Sequence, residues 1–98
     1  MSKKLGDVGT HFVLENEDVK IWDLILEPGQ SSSWHHHTMN YLFIVTEPGR
    51  LRVEFDDGSG DEEDYELGRV VIGQKDSVHQ VTNAGPDRYR NTVVELKQ

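Results

Sequence analysis

The sequence predicts an all-β chain folded as a sandwich or small barrel. Short segments rich in β-branched and aromatic residues recur along its length, Gly/Pro/Asn/Asp turn signals separate them, and no window of helical length carries a sustained i, i+3, i+4 apolar stripe. The residues from Val19 to Glu27 make the first strong strand, which ends at the turn Pro28-Gly29. Tyr41 to Thr46 is a second strand, closed by Glu47-Pro48-Gly49. Leu51 to Phe55 alternates apolar and polar as a half-buried strand should, then enters Asp56-Asp57-Gly58-Ser59-Gly60 and the acidic run Asp61 to Asp64, together a charged hairpin. Arg69 to Ile72, His79 to Thr82 and Arg88 to Leu96 complete the set. No linker, low-complexity segment or second domain interrupts residues 1–98.

Composition narrows the chemistry. The chain of 98 residues is near the small end of what buries a core unaided. It has no cysteine, which excludes disulfides, thiolate metal sites and a cysteine nucleophile. The apolar stretch Tyr41 to Val45 is far too short to span a bilayer, and Met1 to Asp7 lacks the apolar segment of a signal peptide, so the expectation is a soluble, cytoplasmic protein. Ten basic against eighteen acidic residues give a net charge of −8, which disfavours nucleic acid and anionic membranes as partners.

The most informative run is Trp34-His35-His36-His37-Thr38. On a strand, His35 and His37 share one face and His36 takes the other. A third imidazole from a distant strand, His79, would complete a nitrogen-rich site of the kind that suits zinc, copper, iron or nickel. His36 is expected to be packed or exposed, and His11 to be structural or interfacial rather than a ligand. Trp22, Phe43 and Phe55 read as core or subunit interface, while Trp34 lines the barrel mouth or packs. Arg52, Arg69, Arg88 and Arg90 would meet an anionic substrate if any of them faced the cavity.

Gly29, five residues, His35, one residue, His37 and a later Gly49 resemble the first cupin motif, G-x5-H-x-H-x3,4-E-x6-G. Gly68, ten residues, His79, three residues and Asn83 resemble the second, G-x5-P-x-G-x2-H-x3-N, without a gap. The resemblance spans residues 29–49 and 68–83 and implies a double-stranded β-helix, or jelly-roll barrel, using essentially the whole chain. It further implies a metal inside the barrel on His35, His37 and His79.

Departures from the motifs are informative. The family's glutamate ligand would fall at residue 41 or 42, where this chain has Tyr41 and Leu42. Tyr41 has the parity of His37, so its phenol is the expected cavity-facing group and the candidate catalytic residue, donating a hydrogen bond or orienting substrate. Gln74 and Asp76 replace the usual Pro and Gly and put two polar side chains near the barrel mouth. Cupins without the glutamate include three-histidine iron dioxygenases. The resemblance therefore implies a divalent transition metal, with Fe(II) favoured over zinc or nickel, and an oxygenase acting on a small polar metabolite. A redox-neutral metal-dependent isomerase, lyase or hydrolase, and a binding or sensing cupin without turnover, stand beside it. A twofold homodimer is expected, because free sheet edges and an outer sheet rich in branched residues need cover.

Overall fold

The computed structural model describes residues 5–97 and contains nine strands: β1 (His11–Glu15), β2 (Val19–Leu26), β3 (His35–His36), β4 (Tyr41–Glu47), β5 (Gly49–Phe55), β6 (Gly60–Tyr65), β7 (Val70–Gly73), β8 (Val78–Asn83) and β9 (Tyr89–Leu96). They form two antiparallel sheets, one in the order β1-β2-β9-β4-β7 and the other β3-β8-β5-β6. From β3 onward every connection except β5–β6 crosses between the two sheets, which is the jelly-roll the motif resemblance implies. No helix among the described residues is long and apolar enough to cross a membrane.

Strand alternation sorts the side chains. On β9, Tyr89, Asn91, Val93 and Glu95 are buried while the residues between them are half-buried. On β2 the buried set is Trp22, Leu24 and Leu26, so the aromatic residue of that strand serves the core rather than the outer surface. These meet Tyr41 and Val45 of β4, Leu51 of β5 and Val81 of β8, and the inner faces of both sheets enclose one interior. Removing their apolar surface from water supplies the main driving force for closing the sheets.

The motif positions that bear no metal role shape turns. Glu27-Pro28-Gly29-Gln30 closes with Gln30 N–H donating to the Glu27 carbonyl at 2.9 Å, and Gly29 takes φ 81°. A proline followed by a positive-φ residue is the type II pattern, which favours glycine. Gly68, at φ 85°, does the same for the turn into β7. Asn83 fastens two turns at once: its Nδ2 donates to the carbonyls of Leu26 and Asp87 at 2.9 and 2.8 Å, and its Oδ1 accepts from Gly85 N–H at 2.9 Å. Asp76 occupies the place of the motif's glycine and still has φ 75°. The backbone thus keeps a left-handed conformation that aspartate tolerates better than most residues.

Candidate metal centre

His35 and His79 are direct partners across the β3–β8 pairing. His37 lies one residue beyond β3, where its N–H donates to the Ser77 carbonyl at 3.0 Å and its own carbonyl accepts from Asp76 N–H at 2.6 Å. The segment before β8 therefore fixes the third imidazole. Ring centroids lie 4.5 Å apart for His35–His79 and 4.8 Å for each of the other two pairs. One ligand atom from each ring falls within 4.8 Å of the others, and all three side chains are buried.

The donor chemistry fits a divalent ion. His35 Nδ1–H donates to the Ser33 carbonyl at 2.8 Å, which fixes its tautomer and leaves the Nε2 lone pair for the cavity. His37 Nε2 and His79 Nε2 lie 3.1 Å apart. Two nitrogens each about 2.1 Å from one ion would be about 3.0 Å apart at a right angle and about 3.4 Å at a tetrahedral angle, so this spacing matches joint ligation. The Nδ1 atoms of His37 and His79 are buried without hydrogen-bond partners, so His35 alone of the three has a ring acceptor behind it.

Burial favours the neutral, metal-binding form of each ring. It pushes the His37 pKa down to about 2, with further repulsion from His35, His79 and His36, and lowers His79 to about 4, with repulsion from His35. Burial also lowers His35, against the opposing hydrogen bond to Ser33. A set of neutral imidazoles leaves a bound ion its full charge.

Tyr41 occupies the position of the motif's glutamate and lines the cavity, whereas Leu42 faces out. Its ring stacks on His37 at 3.7 Å between centroids and 14° between planes. Gly73, its partner on β7, makes room for the ring. Burial raises the phenol pKa against the effect of a hydrogen bond with Ser77, so the hydroxyl stays protonated. Glu95, Tyr41's partner on β9, is a buried carboxylate outside the histidine cluster. Burial raises its pKa, opposed chiefly by a hydrogen bond with Trp22.

The histidines and Tyr41 open onto a cavity of about 490 Å³. Apolar side chains dominate its wall, among them Leu24, Phe43, Leu51, Val53, Val81 and Val93. Phe55 is also part of it and meets His79 edge-on. Residues 74–77, Asp61, Tyr65 and Asn91 add polar groups, including both Gln74 and Asp76. The four arginines named from the sequence are absent from this wall. Instead they pair with carboxylates: Arg52 with Glu54, Arg69 with Glu63, Arg88 with Glu47 and Arg90 with Asp23. Arg50 takes Glu62 and Asp64, so two of the four residues of the acidic run are engaged across its hairpin. His36 points away and lies 3.5 Å from Asp76, His11 is exposed on β1, and Trp34 is half-buried outside the cavity wall. Lys75, Ser77, Gly73 and Asn91 were not singled out from the sequence. A signal for Asn91 existed: it shares strand parity with Tyr89 and Val93.

The comparisons agree with this architecture. The cupin-domain family matches residues 22–95. No curated protein matches the sequence. Among solved structures, a cupin domain from Bordetella pertussis Tohama I is similar with a TM-score of 0.83 and 24% identity over 100% of both chains. An RmlC-like cupin family protein with a double-stranded β-helix fold, from Methanocaldococcus jannaschii, has a TM-score of 0.71 and 17% identity over 98% of this chain and 89% of its own. A structure described as a sugar phosphate isomerase from a cupin superfamily, from Silicibacter pomeroyi, has a TM-score of 0.61 and 25% identity over 83% of this chain and 52% of its own. With the family match across most of its length and a buried three-histidine cluster that could hold a metal ion, the chain belongs to the cupin family.

Proposed function

We propose that this cupin is a metalloenzyme that holds a divalent transition metal, Fe(II) by preference, on His35, His37 and His79, and that it oxidises a small molecule with dioxygen. The observation that carries the reading is the convergence of these neutral imidazoles on the wall of a cavity of about 490 Å³, with no carboxylate among the ligands. A metal so held would supply Lewis acidity and, for iron, a redox centre with positions left for substrate. Tyr41, kept protonated by burial, would donate a hydrogen bond to the bound molecule. The apolar wall favours a ligand with an apolar body over the small polar metabolite expected from the sequence.

A redox-neutral isomerase is the second reading, favoured by the similarity to the Silicibacter pomeroyi structure. The cavity weighs against a phosphorylated substrate, because Lys75 is the one cation in its described wall and Asp61 and Asp76 share that wall. The deciding experiment is elemental analysis of untagged wild type beside His79→Ala, followed by oxygen-uptake measurement. Near-stoichiometric iron lost in the variant supports the oxygenase, while zinc with no oxygen uptake favours redox-neutral chemistry. Protein that stays empty when offered iron, zinc or nickel anaerobically would leave a binding module.

We also infer a homodimer formed through the outer face of the five-stranded sheet. Register places Leu14, Ile21, Val94, Leu42 and Ile72 in one apolar row across all its strands, with Ile72 79% exposed. The charged pair Asp23–Arg90 beside this row is internally neutral, so two chains of net charge −8 can meet there with little repulsion. Sedimentation should give a dimer that Ile72→Lys dissociates; a wild-type monomer at all concentrations would refute it.

A further inference from the structure

We propose that the cavity selects a small molecule with an apolar body and a hydrogen-bond donor at its inner end, and that Asn91 is the residue that reads this donor. The assignment rests on the cavity being a ligand site, and it names the class of molecule that fits.

Asn91 is part of the cavity wall and only 2% exposed. Its Nδ2 donates to the Tyr89 hydroxyl at 2.8 Å, while its Oδ1 is buried with no partner. A buried amide oxygen with nothing to accept from is destabilising, and native proteins seldom leave one so. Water is a poor remedy at this position. An ordered water needs two to four polar partners. Within its own sheet, the inward residues flanking Asn91 are Leu24 and Val45, its partners on the neighbouring strands, with Val93 and Tyr89 on its own strand. Only Tyr89 is polar among them, and its hydroxyl already holds the amide nitrogen. A ligand whose donor is attached to an apolar body satisfies the oxygen without asking for further partners.

Position gives the ligand its length. Asn91 precedes Glu95, the β9 partner of Tyr41, by four residues. At about 3.4 Å per residue, the two levels are separated by about 14 Å along the strand. Val93 lies between them in the wall, and Leu24, Leu51, Val53 and Val81 supply apolar surface for the body. The histidines and Asn91 therefore sit at different depths of one largely apolar chamber, and a molecule engaging both is elongated. This arrangement sets orientation as well as affinity, because only the end carrying the donor is accepted at Asn91.

Three probes with one body separate the alternatives: 4-ethylphenol, 1-ethyl-4-fluorobenzene, which lacks a donor, and 4-ethylbenzonitrile, which offers an acceptor only. Each is titrated by calorimetry into the full-length protein and into Asn91→Leu and Asn91→Val. The readout is the affinity ratio of phenol to fluoro analogue on each protein. It is read on metal-free protein throughout, so metal ligation by the phenol does not enter it, and metal analysis of untreated samples tests the metal reading separately. The ratio should fall by about tenfold from wild type to either variant. In wild type, the Asn91 side-chain amide resonances should shift with the phenol and not with the fluoro analogue, which tests the assignment even if both variants misfold. Equal ratios in all three proteins, unmoved amide resonances with phenol bound, or a nitrile that binds tighter than the phenol and loses its advantage in the variants would each overturn the assignment.

Discussion

Gly73→Ala is the sharpest probe of how the candidate metal centre is built. A Cβ placed at Gly73 would lie 2.1 Å from Tyr41 Cζ and 2.5 Å from both Cε1 and the hydroxyl oxygen. Ordinary contact begins at 3.4 Å, so the ring must retreat by at least 3.4 − 2.1 = 1.3 Å or leave its place. Its stacking partner is His37, at 3.7 Å between centroids, and that contact has almost no slack. Overpacking of this kind costs about 1–3 kcal/mol of stability. Displacing the group that packs a ligand should also weaken metal binding by about 10–100-fold, the range seen when support behind a ligating histidine is lost. Both quantities are measurable, by thermal unfolding of the metal-free protein and by metal titration against a competing chelator. Tyr41→Leu removes the clashing ring, so Gly73→Ala should cost little in that background. Wild-type metal affinity in Gly73→Ala, or an undiminished penalty in the double variant, would refute the coupling from Gly73 through Tyr41 to His37.

Other consequences follow from the same geometry. His35→Ala should abolish stoichiometric metal, whereas His36→Ala, which alters a ring pointing out toward Asp76, should keep it; elemental analysis distinguishes them. Metal-free protein should lose stability as pH falls. The unfolded chain takes a proton at His79 near pH 6.5 while the folded one resists until about 4, so this contribution is complete above 6.5 and lost through that window. Glu95 acts in the opposite sense, because its raised pKa makes the folded state hold a proton longer than the unfolded one as pH rises. Glu95→Gln should therefore steepen the dependence, as urea unfolding at a series of pH values would show. Asn83→Ala should cost about 2–4 kcal/mol, since it removes the amide joining the Leu26 and Asp87 carbonyls to Gly85 N–H, and calorimetric melting measures the loss.

Local chemistry made much of this protein legible in one dimension. Strand period is a local property, so the segments from Val19 to Leu26 and from Tyr89 to Leu96 stand out from their own residues. The same parity places His35 and His37 on one side and His36 on the other, and it selects Tyr41 over Leu42. Glycine at positions 29 and 68 reports a left-handed backbone because few other residues adopt one readily. Asp76 shows the limit of that signal, keeping the conformation without the residue that announces it. What only the tertiary structure decided depends on pairing between distant strands. Register across β4 and β7 sets Gly73 beneath Tyr41, and ion pairing on the outer surface takes the arginines away from the cavity. Closure of the two sheets turns Leu24, Leu51, Val53 and Val93 into one apolar wall with Asn91 set in it. A side chain's parity is written in its own strand, but its neighbours are chosen by another strand.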